Sequence, residues 1–215
     1  IGGQLDRIQR TANAVAELTF SKMLDLSRHT IPANYDVKVN KTWDKYKFVG
    51  RELRGKTLGI LGFGRIGQHL GVMAKAIGMN VIAFDIFHIP GIEEELGIPY
   101  VEMDELLAKS DFISVHAPAV DGGALINAER IAKMKDGVVI INTSRGTNVD
   151  EAALLDALNS GKVRAAGLDV YADEPATNVA LYSHPMVSCT PHIGSATVEA
   201  QGRIGEELVE IISKM

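Results

Sequence analysis

Three short apolar runs each end in a residue able to act on a small acid. After "VVIIN" comes Thr143-Ser144-Arg145-Gly146, after "RAAGL" comes Asp169-Val170-Tyr171-Ala172-Asp173-Glu174-Pro175, and after "MVSCT" comes Pro191-His192-Ile193-Gly194-Ser195. An imidazole titrates near neutrality and suits the proton that must enter or leave a substrate oxygen as a hydride moves. His192 is therefore the acid/base candidate. Glu174 can accept a hydrogen bond from the other ring nitrogen, fixing the tautomer and favouring the imidazolium. Arg145 offers a permanent charge and a planar fork that matches a carboxylate and polarises a carbonyl. The chemistry that uses all three is hydride transfer between a nicotinamide and a 2-hydroxy or 2-oxo acid.

The nucleotide for such a step has a candidate cradle upstream. Within "GKTLGILGFGRIGQHLGVMAKAIGMNVIAFD", Gly62, Gly64 and Gly67 form G-x-G-x-x-G after a strand-like run and at the start of a helical one. The first glycine permits the tight turn, the second lets a pyrophosphate approach the backbone, and the third lets helix and strand pack closely. The helix amino terminus presents free N–H groups to the phosphates, with Arg65 beside them. Asp85 lies eighteen residues beyond Gly67, at the end of the next apolar run. An acid there binds a ribose 2′-hydroxyl and repels a 2′-phosphate, which predicts NAD in preference to NADP.

These residues need a scaffold that brings strand ends together. From Leu58 onward "LGIL", "NVIAF", "FISV", "GVVII", "RAAGL", "MVSC" and a weak "PYV" alternate with helical candidates near 65–77, 103–109, 127–134, 150–160, 178–182 and 197–213. Continuous apolar strands between helices indicate an α/β fold, a doubly wound parallel sheet of about seven strands with ligands outside the carboxyl ends. Residues 1–215 read as one domain, with an amino-terminal helical segment over 1–52 and a core over 53–215. The segment "ANAVAELTFSKMLDLSRH" after Thr11 is apolar nearly all round, so it is buried either within its own domain or against a second copy.

Composition narrows the partners. A net charge of −5 and no Lys/Arg block argue against nucleic acid. Cys189 is the sole cysteine, which rules out a disulfide within the chain, and the six histidines have no paired spacing, so no metal site is expected. No apolar run approaches the roughly 18 residues a membrane span requires, and the amino terminus lacks a signal-like pattern. A soluble protein in a reducing cytoplasm is the expectation.

Taken together, "GKTLGILGFGRIGQ", "INTSRGTNVDEAALLDAL", "AAGLDVYADEP" and "TPHIGSAT" resemble the signatures of the D-2-hydroxyacid dehydrogenase family, over most of residues 53 to 212. Within it, "KYKFVGRELRGKTLGILGFGRIGQ" is most similar to the branch that oxidises 3-phosphoglycerate to 3-phosphohydroxypyruvate with NAD at the start of serine synthesis. The resemblance implies a Rossmann fold with Arg145, Glu174 and His192 as the catalytic set. It implies that Arg65 and Ile66 border the pyrophosphate, that Asp85 holds the adenosine ribose, and that His116, Ala117 and Pro118 line the adenine side. It also implies that Thr143 and Ser144 run along the cofactor and that Asp169 and Gly194 meet the nicotinamide amide. The apolar helix over 11–29 matches the family's dimer-forming segment, which implies a homodimer. His116 also has a plainer reading, as a strand-end residue that shapes the pocket without proton chemistry.

The pattern departs from the family in extent. A second, smaller domain built from flanking segments has no counterpart here, and "IGGQLDRIQR" matches no known motif. The expectation is an excised or engineered cofactor domain, or a family fragment, that binds NAD(H) but turns over substrate poorly or not at all, since the other domain holds the substrate carboxylate and excludes water. A different class, the NAD(H)-sensing corepressors of the same family, calls for partner-binding surface outside the core. Formate-oxidising relatives carry glutamine where Glu174 stands.

Overall fold

The computed structural model describes residues 11–120 and 122–213; the decapeptide "IGGQLDRIQR" and the two C-terminal residues lie outside them. Six strands are formed where β-branched and aliphatic residues run together: β1 (Thr57–Leu61), β2 (Asn80–Phe84), β3 (Phe112–Val115), β4 (Val138–Asn142), β5 (Val163–Leu168) and β6 (Val187–Cys189). They pair in the order β2-β1-β3-β4-β5-β6, every pair parallel. The runs are apolar without alternation because both faces of the sheet are covered. Along β4, Val139 and Ile141 enter one core cluster while Val138 and Ile140 enter the other.

The chain leaves β1 for β2 and then crosses back to β3 on the other side of β1. This reversal opens a crevice between the carboxyl ends of β1 and β3, where doubly wound sheets bind ligands. The expected seventh strand does not form. "PYV" lies beside β2, where Val101 N–H donates to Ala83 O and Ala83 N–H to Pro99 O, but the pairing stops at one bridge between Ala83 and Tyr100. Pro99 has no N–H to extend the ladder, so the segment ends as a bridge on the sheet edge.

Helix α1 (Ala12–Arg28) accounts for its apolar sequence within its own domain. It packs on β4, β5, β6 and on α3 (Arg65–Ala76), with Ala16, Thr19, Lys22 and Met23 buried. Gly167 of β5 allows the close approach, since a Cβ there would lie 3.2 Å from Lys22 Cβ. The outward residues are Asn13, Glu17, Ser21, Leu24 and Arg28, a mostly polar set. Beyond it come α2 (Thr30–Tyr35), a π-helical turn over Asp36–Asn40 and a 3-10 turn over Lys45–Phe48, elements with no counterpart among the expected helices. The remaining helices are α4 (Ile92–Leu96), also unanticipated, α5 (Met103–Lys109), α6 (Ala128–Lys133), α7 (Glu151–Ser160), α8 (Val179–Tyr182) and α9 (Val198–Ile212).

Candidate active site

The glycine turn is built as its spacing requires. Gly62 has φ +94°, and a Cβ on it would meet His116 C and Ala117 N at 2.7 Å, so the ends of β1 and β3 close up only around glycine. A Cβ at Gly67 would sit 2.5 Å from Gly62 O, which holds α3 against the turn. Gly64 differs: among the described residues no heavy atom lies within 4 Å of its Cβ position, and no side chain caps α3 there. Open space above an uncapped helix amino terminus is what a pyrophosphate needs. Asp85 bridges the turn and the next loop, its Oδ2 accepting from Phe63 N–H at 2.7 Å and its Oδ1 from Phe87 N–H at 3.0 Å. The residues after it, "IFHIPGI", contain no lysine or arginine to receive a 2′-phosphate.

Two clefts of about 460 and 480 Å³ share Thr11, Ile66 and His116 and so run together along the carboxyl edge. Gly64, Arg65 and Ile66 line the first. His116, Ala117, Pro118, Thr143, Ser144, Arg145, Asp169, His192 and Gly194 line the second. Gly62, Gly67 and Asp85 line neither cleft: the two glycines are packing points of the turn, and Asp85, after β2, is bonded to the N–H groups of Phe63 and Phe87. This lining fits a nicotinamide dinucleotide, whose pyrophosphate Gly64, Arg65 and Ile66 would hold.

At that end His192 Nδ1 lies 2.7 Å from Glu174 Oε2. With Nδ1–H given to the carboxylate, Nε2 is the nitrogen left for a substrate proton. The bond to His192 is the main cause holding Glu174 below the usual carboxylate range, and the Tyr171 N–H donated to Glu174 Oε1 at 3.2 Å acts in the same direction. His192 has a left-handed backbone, φ +53°, a conformation that costs energy for a side chain of its kind. Asp169 holds that loop in place. Only 1% exposed, it accepts from Thr190 Oγ1 at 2.5 Å, Ile193 N–H at 2.9 Å and Gly194 N–H at 2.8 Å. Both of its oxygens are thus engaged by the loop that carries His192.

Arg145 sits on a loop tied down from two sides. Asn142, at the end of β4, donates to Arg145 O at 2.8 Å and accepts from Ser144 N–H and Oγ–H at 3.1 and 2.8 Å. Asn148 donates to Ala117 O at 2.8 Å and Ser144 Oγ at 3.1 Å, linking the arginine loop to the loop after β3. A Cβ on Gly146 would come within 1.8 Å of Tyr171 O, so glycine is required where the Arg145 and Glu174 loops cross. Thr19 of α1 meets Thr143 at 2.8 Å, Oγ1 to Oγ1. Asn142, Asn148 and Thr19 went unread in the sequence; a polar Asn closing the apolar run "VVII" is the one signal that was available.

His116 shapes the pocket rather than titrating in it. Its Nε2 is 2.8 Å from Ser114 Oγ, its Nδ1 is buried with no partner among the described residues, and burial pushes its pKa down to about 3. The ring is neutral in the folded protein while an unfolded histidine takes up a proton at about pH 6.5. Between those values the unfolded state binds the extra proton, so stability falls with falling pH, on the order of 1.4 kcal/mol per pH unit. In urea unfolding from pH ~7 to ~4, His116→Gln should show a shallower acid loss than the wild type. Parallel curves would mean that His116 titrates normally.

Strand order, glycine turn and strand-end trio define the dinucleotide-binding domain of a nicotinamide-dependent oxidoreductase. The chain belongs to the D-isomer specific 2-hydroxyacid dehydrogenase family: the model of its NAD binding domain matches residues 20–194. NAD is the family's cofactor. The chain is 49% identical over 209 residues to the hydroxypyruvate reductase of Thermotoga maritima, covering 95% of this chain and 67% of that protein. It is 43% identical over 201 residues to the D-3-phosphoglycerate dehydrogenase of Mycobacterium tuberculosis (strain ATCC 25618 / H37Rv), covering 93% of this chain but only 38% of the relative. Among solved structures, a D-lactate dehydrogenase from Aquifex aeolicus complexed with NAD and lactic acid superposes with TM-score 0.87 at 36% identity, over 95% of this chain and 66% of the other. No helix among the described residues is long and apolar enough to cross a membrane, and no group of His, Cys, Asp or Glu among them could hold a metal ion.

Proposed function

We propose that the protein uses NAD(H) to move a hydride to or from a small 2-hydroxy or 2-oxo acid, with His192 as acid/base, Glu174 orienting it and Arg145 binding the acid. The observation that carries this reading is the 2.7 Å bond between His192 and Glu174 at the end of a groove that Arg145 also lines. The three-carbon acids named for its relatives are the substrates to compare. Of these, 3-phosphoglycerate and 3-phosphohydroxypyruvate, in cytoplasmic serine synthesis, are our first choice, supported by the likeness of "KYKFVGRELRGKTLGILGFGRIGQ" to that branch.

A fluorescence titration with NADH and NADPH tests the cofactor half of the reading. NADH should bind more tightly, and Asp85→Ala should narrow the preference by about tenfold, roughly 1.4 kcal/mol, because the carboxylate that meets the ribose is gone. An unchanged preference would remove Asp85 from that role.

We further propose that two copies associate. Helix α1 spends its apolar face on its own sheet, so the contact falls mainly on the arm that follows it. There Trp43, Tyr46 and Val49 are 87%, 76% and 74% exposed, and Ile31, Tyr35 and Val39 are exposed beside them. Such a set of large apolar side chains on one segment is typical of a surface that a partner covers. Sedimentation should give twice the 23.2 kDa chain mass, and Trp43→Glu with Tyr46→Glu should return it to one. A single-chain mass for the wild type sinks the dimer without touching the cofactor reading.

A further inference from the structure

The opposite edge of the sheet, at the amino ends of β1, β3, β4 and β5, holds a small cavity of about 60 Å³. Arg51, Lys56, Lys135 and Arg164 all line it. Two of the three acids that line it are occupied. Asp111 accepts from Lys135 Nζ at 3.1 Å and from Thr57 N–H at 2.8 Å, and Asp136 pairs with Lys162 at 2.8 Å. Glu52 also lines the cavity but is exposed and makes no ion pair among the described residues. Arg51, Lys56 and Arg164 are therefore left without a carboxylate partner among those residues. Arg164 donates only one long hydrogen bond, from Nε to Gly137 O at 3.4 Å.

Such an arrangement is unfavourable without a counter-charge. Arg164 is half-buried, and both its burial and the neighbouring Arg51 oppose its charge, with Asp111 only partly offsetting them. Two guanidinium groups and an ammonium around a recess are well matched to the oxygens of an anion, which planar forks bind in pairs of parallel hydrogen bonds. The size limits the ligand. At about 60 Å³ the recess suits a group of a few heavy atoms.

We propose that this recess is a binding site for a small tetrahedral oxyanion, free phosphate or sulfate, held by Arg51, Lys56 and Arg164. The bound ion ties the segment entering β1 to the start of β5. Its effect is on stability by mass action, and it is independent of whether the protein turns over a hydroxy acid.

Thermal unfolding in phosphate against chloride at equal ionic strength tests this, with NADH present because the glycine turn also suits a phosphate. Phosphate should raise Tm by several degrees in the wild type. Arg51→Gln combined with Lys56→Gln, on an exposed and a half-buried residue, should abolish most of that rise while leaving Tm in chloride nearly unchanged. An equal rise in the double variant would overturn the site, because it would reflect general exclusion of phosphate from the protein surface or binding elsewhere. A rise absent from the wild type would overturn it too. Glycerol 3-phosphate should stabilise less than inorganic phosphate, and the reverse would overturn the assignment to a free ion.

Discussion

Replacing His192 by asparagine is expected to slow hydride transfer to hydroxypyruvate or 3-phosphohydroxypyruvate by about 10²–10⁴, the usual worth of a positioned acid/base. NADH affinity should stay within about threefold. The choice of asparagine matters because the residue has φ +53°, and asparagine tolerates that region better than most side chains. The loop should then keep its bonds to Asp169, which are made by backbone N–H groups and Thr190 and not by the imidazole. Glu174→Gln keeps a hydrogen-bonding oxygen but removes the charge that stabilises the proton-donating imidazolium, so its loss should fall between wild type and His192→Asn. Stopped-flow NADH fluorescence gives rate and affinity on the same sample. A loss in KM alone, with kcat intact, would mean that His192 binds substrate and that the proton travels elsewhere.

What could be read from residues alone follows from how local each cause is. Val138 to Ile141 read as a buried strand because both faces of the sheet are covered, and that burial is written residue by residue. The pairing of Glu174 with His192 was legible from chemistry, since a histidine that moves protons needs its tautomer fixed, and the two atoms stand 2.7 Å apart. The seventh strand failed on one residue, Pro99, whose missing N–H matters only once the neighbour is known to be β2. Thr30–Tyr35 and Asp36–Asn40 carried no amphipathic period, because most of their side chains meet solvent on every side. Asn148 acts between the loops after β4 and β3, so its role depends on sheet order, whereas Asn142 holds the turn of its own loop, whose shape no periodicity announces. Asp169 was assigned to the nicotinamide by resemblance, and in the fold both of its oxygens are committed to the loop of His192.

The glycine turn permits fold and function to be separated by two alanines. At Gly62, alanine would have to adopt φ +94° and place its Cβ 2.7 Å from two backbone atoms, His116 C and Ala117 N. Neither can move without parting the ends of β1 and β3, so strain and clash add, and a loss of about 3 kcal/mol or more is expected. For a chain of this size that corresponds to a fall in Tm of roughly 6–12 °C, with NADH binding lost alongside. At Gly64 the backbone has φ −73°, open to any residue, and nothing among the described residues lies within 4 Å of the Cβ position. Alanine there should leave Tm within about 2 °C, since no mechanism for a large loss is present, yet weaken NADH by tenfold or more because the methyl occupies the pyrophosphate's approach. If Gly64→Ala bound NADH as tightly as wild type, the phosphates would have to lie away from the start of α3. The open space above Gly64 would then serve no ligand, and the case for the cradle would rest on Asp85 alone.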